Sequence, residues 1–182
     1  MSYDPPSPYA APPPLPGQQP KGPRPTTVTA AAGLLVGEAV LLLISVVYGL
    51  INRDTVQDAV DKYLDAQNVS TTGTAGSGTF GSVISTVFSL LFAAAFIGLA
   101  LGVLRGANVA RIISWVVSGL ALCCVSVGTA GTALLYTDYL PGSYLTITYL
   151  LTFIELVGFI GIIVLLALPA SNAYFRKPVA GF

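Results

Sequence analysis

Four long apolar segments separated by short polar ones form the dominant pattern of the chain. They cover residues 28–51, 83–104, 112–136 and 145–168, and charges, glycine or proline bound each of them. A helix rises about 1.5 Å per residue, so about 20 apolar residues cross a hydrocarbon core of about 30 Å. The pattern predicts an all-α membrane protein, with a bundle of four transmembrane helices inside residues 28–168.

The segments outside this region have a different composition. Residues 1–27 contain proline runs such as Pro12-Pro13-Pro14-Leu15-Pro16, which cannot bury a core and favour extended polyproline II. We therefore predict a disordered tail, with two alternatives for its role: docking to a protein partner through an aromatic groove, or acting as a solubilising spacer. Pro169 cannot continue the last helix, so residues 169–182 are predicted to be a second tail.

Residues 52–82, between the first two apolar segments, divide into two parts. In residues 54–66 apolar side chains recur at helical spacing with aspartates on the other face, which predicts a short amphipathic helix. Residues 70–79 are mainly Ser, Thr and Gly, a composition typical of a flexible linker. We expect the helix to lie at the membrane interface, and a lid over a ligand site is the alternative.

Basic residues flank the apolar segments unevenly. Six of the eight fall on one side of the predicted bundle: Lys21, Arg24, Arg105, Arg111, Arg176 and Lys177. Lysine and arginine accumulate on the cytoplasmic side of membrane proteins. The distribution predicts a multi-pass protein of the cell (plasma) membrane with both termini in the cytoplasm.

Composition narrows the functional classes. Hydrophobic residues make up 54% of the chain and charged residues 9%, so the lipid bilayer is the expected partner of most of its surface. Eight basic and eight acidic residues cancel, which leaves no basic face for a nucleic acid. Histidine is absent, and the two cysteines, Cys123 and Cys124, are too few for a zinc site. We expect no enzyme activity, no metal and no cofactor.

Two acidic residues lie deep inside apolar segments. Glu38 and Glu155 are each the eleventh residue of their segment, 28–51 and 145–168. A charge at that depth costs about 2.5 kcal/mol or more, and such residues usually face the bundle interior. One interpretation is a proton or cation site; the other is a pair of neutral carboxyls that hydrogen-bond and pack between helices.

Two glycine pairs have the spacing of close-packing motifs. They are Gly33-x-x-x-Gly37 in the first segment and Gly98-x-x-x-Gly102 in the second. Small residues four apart let helices approach closely. The pairs predict helix packing within the chain, or, as the alternative, contacts in a homo-oligomer.

The loop Leu104-Arg105-Gly106-Ala107-Asn108-Val109-Ala110-Arg111-Ile112, the exit Leu168-Pro169-Ala170-Ser171-Asn172 and the proline-rich start resemble uncharacterised four-span integral membrane proteins of actinobacteria. The resemblance covers most of the chain and implies no activity, catalytic residue or cofactor. The leading functional hypothesis is therefore a non-enzymatic interaction or scaffold protein. The alternative is a small proton- or cation-coupled transporter that uses Glu38 and Glu155.

Overall fold

The computed structural model describes residues 23–68 and 74–176, and this part of the chain is helical, without strands. In chain order its helices are α1 (Thr26–Ile51), α2 (Arg53–Ala66), α3 (Thr74–Leu104), α4 (Asn108–Leu135), α5 (Gly142–Ala167) and α6 (Pro169–Phe175). Four of them, α1, α3, α4 and α5, are long and apolar enough to cross a membrane. The prediction of an all-α membrane protein with four spans is confirmed. The proline-rich residues 1–22 lie outside the described part.

The four long helices form a closed ring in which each has two neighbours. Helix α1 packs against α3 and α5, and α4 completes the ring between α5 and α3. The contact between α1 and α3 is the most extensive, and the contact between α3 and α4 is the least extensive of the four. The seam between α3 and α4 is therefore the loosest side of the bundle.

The bundle is packed much more tightly at one end than at the other. We call the end that carries Pro25, Arg105 and Arg176 the terminal end, and the opposite end the α2 end. Nearly all buried apolar side chains of the long helices lie in the terminal half: Val28, Ala31, Ala32, Leu35, Ala39, Ala93, Phe96, Ala100, Val103, Ala110, Phe159, Ile162 and Leu166. Among the side chains of the long helices that the structure describes, Leu145 is the buried apolar residue toward the α2 end.

Small residues explain the close packing of the terminal half. A Cβ at Gly102 of α3 would lie only 2.7 Å from the Cβ of Ala110 on α4, so the two helices touch backbone to side chain there. A Cβ at Gly161 of α5 would lie 2.9 Å from Cδ1 of Leu34 on α1. Such residues permit close helix approach where lipid offers no hydrophobic driving force. Toward the α2 end the helices separate and leave internal space.

The first loop departs from the predicted boundaries in its second half. Helix α2 (Arg53–Ala66) matches the amphipathic helix predicted at 54–66, and its one buried residue is Ala59. Helix α3, however, begins at Thr74, before the predicted start at residue 83, so part of the predicted linker 70–79 is helical. Extending an existing helix adds one hydrogen bond per residue without a new nucleus, which overcomes weak local preference. Residues 69–73 lie outside the described part.

The C-terminal segment was predicted as a tail, and its first part is instead a short helix folded against the bundle. Pro169 stands in the first turn of α6, where its missing N–H costs nothing. The Ser171 hydroxyl donates to the Leu165 carbonyl oxygen (2.7 Å) and is hydrogen-bonded to the Thr27 hydroxyl (2.8 Å). The Tyr174 hydroxyl donates to the Leu104 carbonyl oxygen (3.1 Å). Helix α6 thus ties α1, α3 and α5 together at the terminal end.

A buried arginine completes this end of the bundle. Arg111, near the start of α4, is only 8% exposed. Its guanidinium carbon lies 4.6 Å from the ring centroid of Trp115 and 5.4 Å from that of Phe175 on α6. A cation over aromatic faces is stabilised by the ring quadrupoles, and more so when water is excluded. Phe175 therefore joins α6 to α4 as well as to the core.

Candidate intramembrane site

Glu38 on α1 is buried against the backbone of α5. Its side chain is 3% exposed, and its Oε1 occupies the position that a Cβ would take at Gly158. Glycine has no Cβ, so the carboxyl can lie directly on the α5 backbone. Gly158 is three residues after Glu155 and lies on the same face of α5, and its contact with Glu38 depends on the pairing of α1 with α5.

Glu155 on α5 is held from the opposite helix. It accepts a 2.9 Å hydrogen bond from the Ser45 hydroxyl of α1 through its Oε1. The two helices therefore exchange contacts in both directions, since Glu38 reaches across to Gly158 and Ser45 reaches across to Glu155. Ser45 is seven residues after Glu38, about two helical turns, and so lies on the same face of α1. Both acids consequently face the same helix interface.

The two carboxyls border the same internal space between the helices. Two ionised carboxylates in a low-dielectric interior repel each other. Among the described residues that line this space, none is basic. The arrangement is balanced when a proton, or a bound cation, stands between the two acids.

One cavity of about 340 Å³ contains both acids. Side chains of α1, α3, α4 and α5 line it, so it lies in the centre of the ring where the helices begin to separate. Besides Glu38 and Glu155, its polar lining consists of Ser85, Ser89 and Cys124, and its apolar lining includes Phe88, Phe92, Phe96 and Phe159. Its volume lies in the range of about 300–1,000 Å³ that is usual for ligand pockets.

A second cavity, of about 480 Å³, lies next to the first on the side of α2. The two cavities share the lining residues Leu42, Ser85 and Ser89. The second is also lined by Ser45, the residue that donates to Glu155, and by Arg53 of α2. Serine hydroxyls therefore stand between α2 and the glutamates.

Helix α2 forms the outer wall of this second cavity. Its side chains Val56, Gln57 and Val60 line the second cavity, and Tyr63 contacts the rings of Tyr136 and Tyr139 at 5.1 and 6.1 Å between centroids. The helix thus crosses from the end of α1 to the turn that joins α4 and α5. This placement matches the alternative of a lid more closely than that of an isolated interfacial helix.

Toward the terminal end the site is bordered by apolar side chains. Leu35 and Ile162 are fully buried, and Phe96 contacts Phe159 with 5.9 Å between ring centroids. These apolar side chains pack on the terminal side of the cavity, and Ser114 and Ser118 of α4 are the buried polar residues nearby.

The four predicted packing glycines differ in whether another helix lies close to them. Gly102 makes the close contact with Ala110, whereas a Cβ at Gly33, Gly37 or Gly98 would have no neighbouring segment within 4 Å. Packing within this chain is thus seen at Gly102. Contacts of Gly33, Gly37 and Gly98 in a homo-oligomer stay a prediction.

Other side-chain chemistry is sparse in the part of the chain that the structure describes. No group of three or more His, Cys, Asp or Glu residues there could hold a metal ion. Cys123 and Cys124 are free thiols on the exposed surface of α4, although Cys124 also borders the first cavity. The glutamates and their cavity are the best-formed candidate site.

Comparison with protein families, with curated proteins and with solved structures gave no match for this chain. The resemblance to actinobacterial four-span proteins stays an expectation from the sequence. The functional argument therefore depends on the geometry of the site.

Proposed function

We propose that this chain is a small proton- or cation-coupled transporter in which Glu38 and Glu155 bind the coupling ion. One observation carries the proposal: both acids lie in the same cavity, which has a second cavity next to it on the α2 side and a cluster of buried apolar residues on the terminal side. Acidic side chains inside a bilayer are costly and mark ion or proton pathways when they face a shared cavity. Carboxyls that only packed between helices would be expected to be surrounded by protein atoms and not to border a cavity.

The site can exchange its occupant without breaking the fold. Ser45 keeps its hydrogen bond to Glu155, and Glu38 is the acid that changes partner. Loading takes place from the α2 end by way of the two adjacent cavities. Release on the other side requires the terminal half to separate, as in the rocking of helices around a central site that transporters use.

Flux through liposomes tests the proposal. Purified protein in vesicles loaded with a pH-sensitive dye should carry protons, or Na⁺ in a parallel assay, when valinomycin and K⁺ set the potential. Glu38→Gln and Glu155→Gln keep the side-chain shape and remove the exchangeable charge, so each should lower the flux about tenfold or more. Asp65→Asn, which removes an exposed acid on α2, is the matched control and should leave the flux unchanged. No flux of either ion in the parent protein would refute the transporter.

The scaffold hypothesis is the second candidate, favoured by the proline-rich residues 1–27. It predicts a protein partner that is lost when residues 1–22 are deleted, a change that leaves the membrane helices intact. Proximity labelling from the N-terminus should then identify the same partner repeatedly with the full chain and not with the shortened one. A shortened chain that keeps the partner would place the interaction elsewhere.

We propose that the protein lies in the plasma membrane with both termini in the cytoplasm. The proposal follows from the uneven distribution of lysine and arginine, which accumulate on the cytoplasmic side of membrane proteins. Asn108 and Ser143 are exposed at opposite ends of the bundle. In a background with Cys123→Ser and Cys124→Ser, a membrane-impermeant thiol reagent applied to whole cells should label Ser143→Cys. It should label Asn108→Cys only after the cells are opened. Labelling of Asn108→Cys in intact cells would reverse the orientation.

A further inference from the structure

The first cavity combines negative charge with aromatic walls. Among the described residues that line it, the charged side chains are Glu38 and Glu155, and the apolar lining includes Phe88, Phe92 and Phe159. A bare metal ion or proton needs only the carboxyl oxygens and does not require aromatic rings around them. Rings and carboxylates together are the features that recognise a cation with an apolar body.

The charge of the ligand follows from the two acids. Glu38 is only 3% exposed, and Glu155 lines the same cavity. A cationic ligand is attracted by carboxylates in a site of low dielectric, whereas an anion is repelled by them. The aromatic rings that line the same cavity offer further attraction for a positive centre.

The route of access also selects the ligand. Phe88 of α3 and Leu120 of α4 line the cavity and are 57% and 61% exposed, so the cavity reaches the bundle surface at the loose seam between these helices. That surface faces lipid in a spanning helix. A ligand that partitions into the bilayer can therefore enter the cavity by this seam.

We propose that this cavity binds a lipophilic organic cation, which enters from the bilayer between α3 and α4. The positive centre, an ammonium or phosphonium, lies at Glu38 and Glu155, and the apolar body lies against Phe88, Phe92 and Phe159. This inference rests on the carboxyl site of the proposed function and names the class of its substrate.

Equilibrium binding to the purified full chain in detergent tests the inference. The probe is tetraphenylphosphonium, and the control is tetraphenylborate, which has nearly the same size and shape with the opposite charge. We expect saturable tetraphenylphosphonium binding and none by tetraphenylborate. The Glu38→Gln/Glu155→Gln double variant should weaken binding by about a factor of ten or more, the effect of removing a buried charge interaction.

A pair of phenylalanine variants separates the cavity from nonspecific partitioning. Phe92→Ala removes one wall and should weaken tetraphenylphosphonium binding by roughly tenfold. Phe153→Ala removes a ring that is 64% exposed and outside the cavity lining, and it should leave affinity within about twofold. If the double glutamate variant does not fold, as judged by thermal unfolding, this pair still decides the question.

Equal binding of tetraphenylborate, or equal effects of Phe92→Ala and Phe153→Ala, would overturn the inference. Absence of tetraphenylphosphonium binding together with glutamate-dependent proton or Na⁺ flux would overturn the substrate class and leave the proposed function standing. Glutamate-dependent tetraphenylphosphonium binding without any ion flux would support the site and refute the coupled transporter. The two proposals therefore fail in different ways.

Discussion

Gly158→Ala is expected to abolish ion flux and to lower the stability of the protein by about 1 kcal/mol, because the end of the Glu38 side chain can move into the adjoining cavity. The new methyl group would occupy the position of the Glu38 Oε1, and overpacking of a close contact commonly costs about 1–3 kcal/mol. The carboxyl must then leave the α5 backbone, or α1 must separate from α5. Thermal unfolding in detergent and vesicle flux measure the two effects.

Two further variants make this prediction specific. Gly98→Ala adds the same methyl group to α3 where no other segment lies within 4 Å of the new atom, so it should not destabilise the protein. The double variant Glu38→Ala/Gly158→Ala removes the displaced carboxyl and should recover most of the lost stability. Equal unfolding temperatures for Gly158→Ala and Gly98→Ala would show that the Glu38 contact is not formed.

Phe175→Ala is expected to lower the free energy of unfolding by about 3 kcal/mol, the lower part of the range for a buried phenylalanine. Phe175 is 5% exposed, and its ring contacts both Tyr174 and the Arg111 guanidinium. Truncation leaves a void under α6 and removes one aromatic face from a buried cation. Denaturation in mixed micelles, followed by circular dichroism, gives the change.

The matched control for Phe175→Ala is Phe153→Ala, since Phe153 is an exposed ring on the surface of α5. Loss of an exposed ring should cost well below 1 kcal/mol. A similar small effect for both variants would mean that α6 does not pack on the bundle, and that the terminal end is not closed by it.

The four spans could be predicted because length and hydropathy alone determine whether a helix crosses a membrane. Helical periodicity puts Ser45 on the Glu38 face of α1 and Gly158 on the Glu155 face of α5. It could not show which helices are neighbours in the ring, so the contacts Ser45 to Glu155 and Glu38 to Gly158 required the structure. The cavity could not be predicted from the sequence either, because it forms only where the four helices separate.

Helix α6 shows a second limit of sequence analysis. Pro169 correctly indicates that α5 cannot continue, because a proline inside a helix removes a hydrogen bond. The same residue is well suited to the first turn of a new helix. Whether the chain ends in a tail or a helix depends on tertiary contacts of Ser171 and Phe175, which no local pattern predicts.

The central claim is that Glu38 and Glu155 act as one site, and a double-mutant cycle of vesicle flux tests it most directly. Parent protein, Glu38→Gln, Glu155→Gln and the double variant would be reconstituted at equal density, with unfolding temperatures recorded for each. Residues that act as a unit give strongly non-additive effects. We predict that the double variant retains about the same residual flux as either single variant. Losses that multiply in the double variant, or a flux that neither single change reduces, would contradict a shared site.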